Sequence, residues 1–142
     1  MNPTIEKFGY PATLLKDMEH WVVLLRPAQV TLGSLVLAAK SNETAFGALP
    51  SAAFAEQGQA IAAIERVLAG FCRYERINYL MLMMVDPHVH FHVIPRYSET
   101  RSWGGCEFPD AGWPAVPQLG SATQLSAEQI AKLREELSLR FR

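Results

Sequence analysis

Three histidines occupy alternate positions in a stretch of five residues, at His88, His90 and His92. Because successive side chains of a β-strand point to opposite faces, the three imidazoles would share one face of a strand. The residues that alternate with them are apolar and would face the core: Val89, Phe91 and Val93. A buried neutral imidazole needs partners for one donor and one acceptor, so a row of three is costly unless the protein uses it. The row therefore indicates a functional site.

Three interpretations of the row compete. The plainest is a strand face open to water, although such faces more often carry Thr, Lys or Glu. The second is a metal site. Residues two apart on a strand are separated by about 6.6 Å and the outer pair by about 13 Å. One ion, bound at about 2 Å from each nitrogen, could then take at most two of the three, and the sequence has no second His or Cys cluster to complete the set.

The third interpretation is nucleophilic catalysis at phosphorus. An imidazole has an ordinary pKa of about 6.5, so near neutral pH it is both a nucleophile and a general acid. The middle ring of a row can attack a phosphorus atom while the outer rings donate hydrogen bonds to its oxygens or protonate the leaving group.

The row falls in the second half of an apolar hairpin. Ile77 to Val85 is a continuous apolar run of strand length, Asp86-Pro87 interrupts it, and His88 to Pro95 resumes as a strand. The pattern predicts two strands joined by a tight turn.

Further elements must support this hairpin. Apolar runs and turn signals predict three earlier strands, at Thr13–Lys16, Trp21–Arg26 and Gly33–Ala39. An amphipathic helix begins near Ser51, because apolar residues recur there at steps of three and four. A last helix follows Ser126, which has Gln129 as its capping-box partner. We expect the apolar stripe of that helix to pack on the sheet or on a second subunit.

Composition limits the classes of protein. The chain has 142 residues, of which 49% are hydrophobic, and 13 basic against 14 acidic residues give a net charge of −1. We expect one domain over residues 1–142, with a core at about 13–96 and a C-terminal extension at 97–142. Balanced charge gives no broad attraction to nucleic acid or anionic lipid, so neither is an expected partner and any phosphate must be bound locally.

The sequence also gives expectations for the cellular location of the protein and for the redox state of its two cysteines. The most apolar stretch, Trp21 to Ala39, is interrupted by Arg26 and Pro27, which argues against a membrane span. The first residues lack the pattern of a signal peptide, so a cytoplasmic protein is expected. Cys72 and Cys106 form no Cys-x-x-Cys pair and are interpreted as reduced thiols.

The extension is rich in Gly, Pro and aromatic residues and is expected to wrap over the domain. Its aromatic side chains could stack on a base or only pack the segment: Tyr97, Trp103 and Trp113. Arg96 and Arg101 could bind phosphate oxygens or lie solvated at the surface.

The segment His88 to Ile94 resembles the histidine triad motif, His-φ-His-φ-His-φ-φ with φ apolar, and the Pro-Arg that often follows is present. The order of elements from Thr13 to Arg96 is similar to that of the histidine triad superfamily. A histidine at the last position, His92, is typical of the hydrolase and nucleotide-binding branches, and the chain resembles bacterial-type dinucleoside polyphosphate hydrolases.

The resemblance implies an α+β fold with a five-stranded antiparallel sheet, one long helix packed on it and a C-terminal helix. It also implies a homodimer that hydrolyses dinucleoside polyphosphates or nucleoside phosphoramidates at the α-phosphate. His90 would be the nucleophile that forms a nucleotidyl-histidine intermediate. His92 would bind the phosphate and assist the leaving group, and His88 would orient the site. No metal site or cofactor is implied, although a polyphosphate substrate may carry Mg²⁺.

The chain departs from the family pattern at three places. Familiar hydrolases have a Gly-rich, phosphate-contacting loop before the triad, whereas Val85-Asp86-Pro87 leaves almost no loop. The usual Asn near the ribose aligns with Arg26, and the usual Gly-His pair appears as Gly33-Ser34. We take Arg26, Ser34 and Arg96 as the candidate substrate-binding residues. Two functions follow: a nucleotide hydrolase, or a nucleotide-binding module with weak or no catalysis because the loop is missing.

Overall fold

A five-stranded antiparallel sheet carries the histidine row. The computed structural model describes residues 1–142. The strands of the sheet are β1 (Leu14–Asp17), β2 (Trp21–Leu25), β4 (Leu35–Ala39), β5 (Arg76–Leu80) and β6 (His90–Arg96). Their spatial order is β1-β2-β4-β6-β5. Two short pairs flank the sheet: β3 (Ala28–Gln29) with β9 (Thr123–Gln124), and β7 (Arg101–Trp103) with β8 (Cys106–Phe108).

Three helices complete the fold: α1 (Pro3–Lys7), α2 (Ser51–Cys72) and α3 (Ala127–Arg140), with a short 3₁₀ turn at Phe46–Ala48. The α3 helix begins with the expected capping box, in which the Ser126 side chain and the Gln129 side chain each bond the other residue's backbone N–H. The expected α+β fold, with a five-stranded antiparallel sheet, a long helix and a C-terminal helix, is therefore confirmed. No helix is long and apolar enough to span a membrane.

The two faces of the sheet are covered by different parts of the chain. One face packs against α2 and α3 in the main core, where Ile64 and Leu68 of α2 meet Leu133 and Leu137 of α3. The apolar stripe of α3 is thus buried within its own chain. Of the two expected packing partners of α3, the sheet's own domain and a second subunit, the structure shows the first. The opposite face is covered by the N-terminal residues, with Ile5 fully buried.

His90 and His92 lie on this second face, which we call the triad face, and His88 precedes the strand. His90 pairs with Ala38 of β4 and His92 pairs with Val36. Directly opposite residues of an antiparallel pair share a face. The sequence therefore orients β6 correctly, with Val93 in the main core and the imidazoles on the opposite side.

The expected tight hairpin before the triad is wrong. The strand β5 ends at Leu80 and β6 begins at His90, which leaves a nine-residue connection, 81–89. After Leu80, which pairs with His92, the chain leaves the sheet, and the side chains of Met84 and Val85 are each 84% exposed. The apolar run Ile77–Val85 continues past the end of β5. Because β5 is an edge strand with a hydrogen-bonded partner on only one side, apolar character alone does not show at which residue its pairing with β6 ends. The connection is longer than the sequence pattern indicates, but residues 81–89 include no Gly, Gln or Ser, so the Gly-rich, phosphate-contacting loop of familiar hydrolases is still absent.

The C-terminal extension is tied to β6 by a buried ion pair. The Nε and Nη2 atoms of Arg96 donate to the two carboxylate oxygens of Asp110 at 2.7 and 3.1 Å. The same guanidinium donates to Asn78 Oδ1 at 2.7 Å and to the Ala115 carbonyl at 2.8 Å. The side chains of Arg96 and Asp110 are 4% and 2% exposed, so the pair is desolvated and its loss leaves an uncompensated charge.

We predict that Asp110→Ala lowers the free energy of unfolding by about 3–5 kcal/mol, because Arg96 would stay buried without its counter-charge. Urea denaturation followed by circular dichroism measures the change. Glu128→Ala is the control, since Glu128 and Lys132 form an exposed helical pair at 3.2 Å. Such a pair contributes about 0.3–0.5 kcal/mol. A loss below about 1 kcal/mol in Asp110→Ala would contradict this account of the extension.

Candidate active site

The two histidines of β6 form the centre of the site. His90 is fully buried and His92 is 8% exposed. Their rings meet edge to face, with centroids 5.2 Å apart. His88 is half-buried in the connection just before the strand.

The hydrogen bond of His90 sets its tautomer. Its Nδ1 atom lies 2.7 Å from the backbone carbonyl oxygen of His88. A carbonyl oxygen only accepts, so Nδ1 carries the proton, and in the neutral ring Nε2 then holds a free lone pair. Nε2 is the one buried side-chain nitrogen or oxygen in the structure without a hydrogen-bond partner. The site therefore presents an unengaged nitrogen nucleophile.

His92 is set in the opposite tautomer. The Nε atom of Arg26 donates to His92 Nδ1 at 3.3 Å, and a guanidinium has donors only. In the neutral ring the proton is therefore on Nε2. Burial, together with the positive charge of Arg26, lowers the pKa of His92 to about 4. At neutral pH His92 is uncharged and offers an N–H donor beside the lone pair of His90.

His88 connects the site to the N-terminus. Its Nδ1 atom is 2.8 Å from Thr4 Oγ1, and its carbonyl accepts from His90. Each triad Nδ1 is thus engaged, by Thr4, by a carbonyl or by Arg26. No group of three or more His, Cys, Asp or Glu side chains is arranged to hold a metal ion.

An N-terminal cap, residues 2–10, closes over the triad. The Phe8 ring centroid lies 5.6 Å from that of His90 and 5.5 Å from that of His92. Lys7 forms an ion pair with Asp86 of the connection before β6 at 2.7 Å. Asn2 caps α1 and also donates to the Ala39 carbonyl at 3.0 Å. Sequence reasoning missed this element, although Asn2-Pro3 is a typical helix start.

Of the three candidate substrate-binding residues, only Arg26 is at the triad. Ser34 is fully buried in a turn, where its hydroxyl donates to the Thr31 carbonyl at 2.7 Å and accepts from the Thr31 N–H at 3.0 Å. The structure gives Ser34 a role in that turn and places it away from the triad imidazoles' hydrogen bonds. Arg96 is likewise engaged by Asp110, Asn78 and Ala115, and it lies four residues along β6 from His92, about 13 Å.

Three of the other aromatic and basic candidates pack the extension against the domain. The Tyr97 hydroxyl accepts from the Leu32 N–H at 2.6 Å, and Trp103 Nε1 donates to Glu136 at 3.2 Å. Arg101 donates to the Cys72 carbonyl at 2.8 Å and stacks over Tyr97 at 4.4 Å. Trp113 is half-buried and lines a groove beside β5.

Comparison with solved structures identifies the fold. A histidine triad protein from Marinobacter aquaeolei VT8 is 19% identical, with a TM-score of 0.74 over 96% of this chain and 93% of that one. One from Bradyrhizobium japonicum is 15% identical, with a TM-score of 0.71 over 100% and 97%. The Plasmodium falciparum diadenosine triphosphate hydrolase is 10% identical, with a TM-score of 0.67 over 91% and 76%. No family model matches the sequence, and no curated protein is significantly similar to it.

The chain therefore has the histidine triad fold, as the motif and the order of elements indicate.

We predict that Arg26→Met raises the pKa of His92 from about 4 part of the way to its ordinary value, because the positive charge is lost while burial remains. Imidazole Cε1–H shifts in an NMR titration measure it, and Arg66→Met, at an exposed arginine, is the control.

The same shift affects stability. The pKa of His92 is lowered in the folded state, so between about pH 6.5 and pH 4 the unfolded chain binds the proton first. The free energy of unfolding should fall as the pH drops through that window, and less steeply in Arg26→Met. Titration of wild-type His92 near pH 6.5 would refute this description of the site.

Proposed function

We propose that the protein hydrolyses a nucleotide at its α-phosphorus through a covalent nucleotidyl-His90 intermediate. The observation that carries the proposal is the free, buried Nε2 lone pair of His90 beside the Nε2–H of His92. The candidate substrates are dinucleoside polyphosphates and nucleoside phosphoramidates. The fold of a diadenosine triphosphate hydrolase among the similar structures supports the first class.

The reaction has two displacement steps. In the first, His90 Nε2 forms a bond to the α-phosphorus while the bond to the leaving oxygen or nitrogen breaks. The leaving group carries away the bonding pair, and His92 keeps its proton while its Nε2–H donates a hydrogen bond to a phosphoryl oxygen or to the leaving atom. A leaving amine takes its proton from water. In the second step, water attacks the phosphorus and releases a proton to solvent, the P–Nε2 bond breaks with its electron pair returning to Nε2, and a nucleoside monophosphate leaves with His90 restored.

The surroundings suit the charges that develop. When His90 Nε2 bonds to phosphorus the ring becomes cationic, and the His88 carbonyl, 2.7 Å from Nδ1, faces that charge. Arg26 places a guanidinium at His92, where it adds positive charge for the phosphate oxygens. No step needs a protein-bound metal; Mg²⁺, where it takes part, would arrive with a polyphosphate substrate.

A nucleotide-binding module with little or no turnover is the second candidate. The connection before the triad has nine residues but no Gly, Gln or Ser, so the lack of the usual phosphate-contacting loop still supports this candidate. A second observation also supports it: the cap leaves His90 with no exposed surface. Saturable binding of AMP without product release would favour this candidate.

We predict that His90→Ala lowers turnover about 10⁴-fold or more, because the nucleophile is removed. Loss of the Nε2–H donor in His92→Ala should cost about 10²–10³-fold. The measurement is nucleoside monophosphate release from adenosine phosphoramidate and diadenosine tetraphosphate. His20→Ala, which changes the one histidine outside the triad, is the matched control. Turnover that survives in His90→Ala, with His20→Ala unchanged, would rule out the mechanism.

We also predict that the cap must open for substrate to reach His90. Phe8→Ala should speed the modification of His90 by diethyl pyrocarbonate, because Phe8 lies against both rings. Peptide mass spectrometry measures the rate, and His20 in the same sample is the internal reference. Equal rates for His90 in wild type and Phe8→Ala would show that Phe8 does not limit access.

The homodimer and the cytoplasmic location remain predictions. The α3 helix no longer supports a dimer, because Leu133 and Leu137 are used in its own core. The edge of β5 supports a dimer better, because its backbone is unpaired on one side and the exposed apolar side chains of Met84 and Val85 lie next to it in the chain.

A further inference from the structure

The backbone carbonyl of His88 orients the nucleophile, yet no sheet hydrogen bond holds it in place. It accepts the Nδ1–H of His90 at 2.7 Å, and this bond sets the tautomer of that ring. His88 lies before β6, and its own N–H and C=O form no backbone–backbone hydrogen bond. The position of the carbonyl therefore depends on how the His88 side chain and the next residue are held.

The hydroxyl of Thr4 holds the His88 ring. Thr4 Oγ1 lies 2.8 Å from His88 Nδ1, and this is the one hydrogen bond that either side chain forms. The Thr4 residue is 2% exposed, so a hydroxyl hydrogen aimed elsewhere would be buried without an acceptor. Thr4 therefore donates to Nδ1, and in the neutral ring the proton of His88 is on Nε2.

Thr4 is itself anchored to the strand beside β6. Asn2, in the same helical turn, donates to the carbonyl of Ala39 at 3.0 Å. The N–H of that same Ala39 donates to the Val89 carbonyl at 3.0 Å. These contacts close a circuit that runs from Asn2 through Thr4 to His88, on to Val89 and back through Ala39. The carbonyl of His88 is therefore fixed from both sides, by the cap and by β4.

We propose that Thr4 is a positioning residue, which acts through His88 to keep the proton of His90 on Nδ1 and the lone pair on Nε2. The cap then has two parts with different roles. Residues 2–5 complete the site and stay in place during turnover, whereas Phe8 covers the imidazoles and is the part that moves. The effect on turnover rests on the proposed function, but the effect on the proton of His90 does not.

The tautomer of His90 tests the proposal without a substrate. Imidazole nitrogen NMR spectra, recorded at about pH 8.5 and so above the ordinary imidazole pKa, distinguish a nitrogen that carries a proton from one with a lone pair. Wild-type His90 should show the proton on Nδ1. In Thr4→Val, which removes the hydroxyl and keeps the branched shape, the shifts of the two nitrogens should move toward each other, because the two tautomers interchange. Thr4→Ser and Phe8→Ala should keep the wild-type tautomer.

Turnover of adenosine phosphoramidate supplies the second readout. Thr4→Val should lower kcat about tenfold, the effect of one ordinary hydrogen bond, and leave KM within about twofold of wild type. Thr4→Ser should restore kcat. Thr31→Val is the matched control, because Thr31 is also buried and its hydroxyl donates to the Pro95 carbonyl at 2.6 Å, near the other end of β6. This control should change neither kcat nor the His90 spectrum.

Several results would overturn the role of Thr4. They are an unchanged His90 spectrum in Thr4→Val, an equal change in Thr31→Val, and a Thr4→Ser variant as impaired as Thr4→Val. A changed spectrum with an unchanged kcat would also contradict the proposal, because the hydrogen bond would then have no part in turnover. The same tautomer change in Phe8→Ala would contradict the separate roles of the two parts of the cap.

The two readouts separate this inference from the proposed function. If the wild type turns over neither adenosine phosphoramidate nor diadenosine tetraphosphate, the proposed function fails, and the spectra alone test the positioning of His90. Circular dichroism shows whether each variant is folded. If Thr4→Val does not fold, Thr4→Ala takes its place, since it removes the same hydroxyl, and it must give the same change in the His90 spectrum.

Discussion

The hydrogen bond between His90 Nδ1 and the His88 carbonyl is the constraint on which the site depends. It fixes the proton on the nitrogen that faces the backbone and leaves Nε2 as the nitrogen that can attack. The bond requires the carbonyl two residues back to stay at the entry of β6. Contacts of the preceding connection hold it there: the His88 ring contacts Thr4, and Asp86 pairs with Lys7.

The strand β6 carries both the reactive histidines and the residue that anchors the C-terminal extension. At its start β6 carries the imidazoles, and at its end it carries Arg96, which binds the extension. Because β6 lies between β4 and β5, its backbone is paired on each side and its side chains have little freedom. The same rigidity fixes the ring of His92 against Arg26 and the guanidinium of Arg96 against the Ala115 carbonyl.

The sequence predicted features that depend on strict periodicity. Alternation along residues 90–94 predicted the face of His90 and His92, whereas His88 lies before the strand, and the three-four spacing after Ser51 predicted α2. Prediction from the sequence failed for features that depend on contacts between residues distant in the chain. Nothing local shows that residues 81–89 leave the sheet, or that Ser34 satisfies its hydroxyl within its own turn. The cap escaped prediction because a five-residue helix is too short to show a period.

Charged candidates show the same limit. Arg26 and Arg96 look alike in sequence, yet one contacts His92 and the other is neutralised by Asp110. Only the fold brings Asp110 to Arg96, through an extension without regular periodicity.

The stereochemical course at phosphorus tests the central claim most directly. A nucleotide substrate made chiral at its α-phosphorus by sulfur and an oxygen isotope is hydrolysed, and the configuration of the monophosphate product is determined. Attack by His90 followed by attack by water inverts the phosphorus twice, so the account predicts overall retention. Overall inversion would mean that water attacks the substrate directly, and it would contradict the role assigned to the free Nε2 of His90.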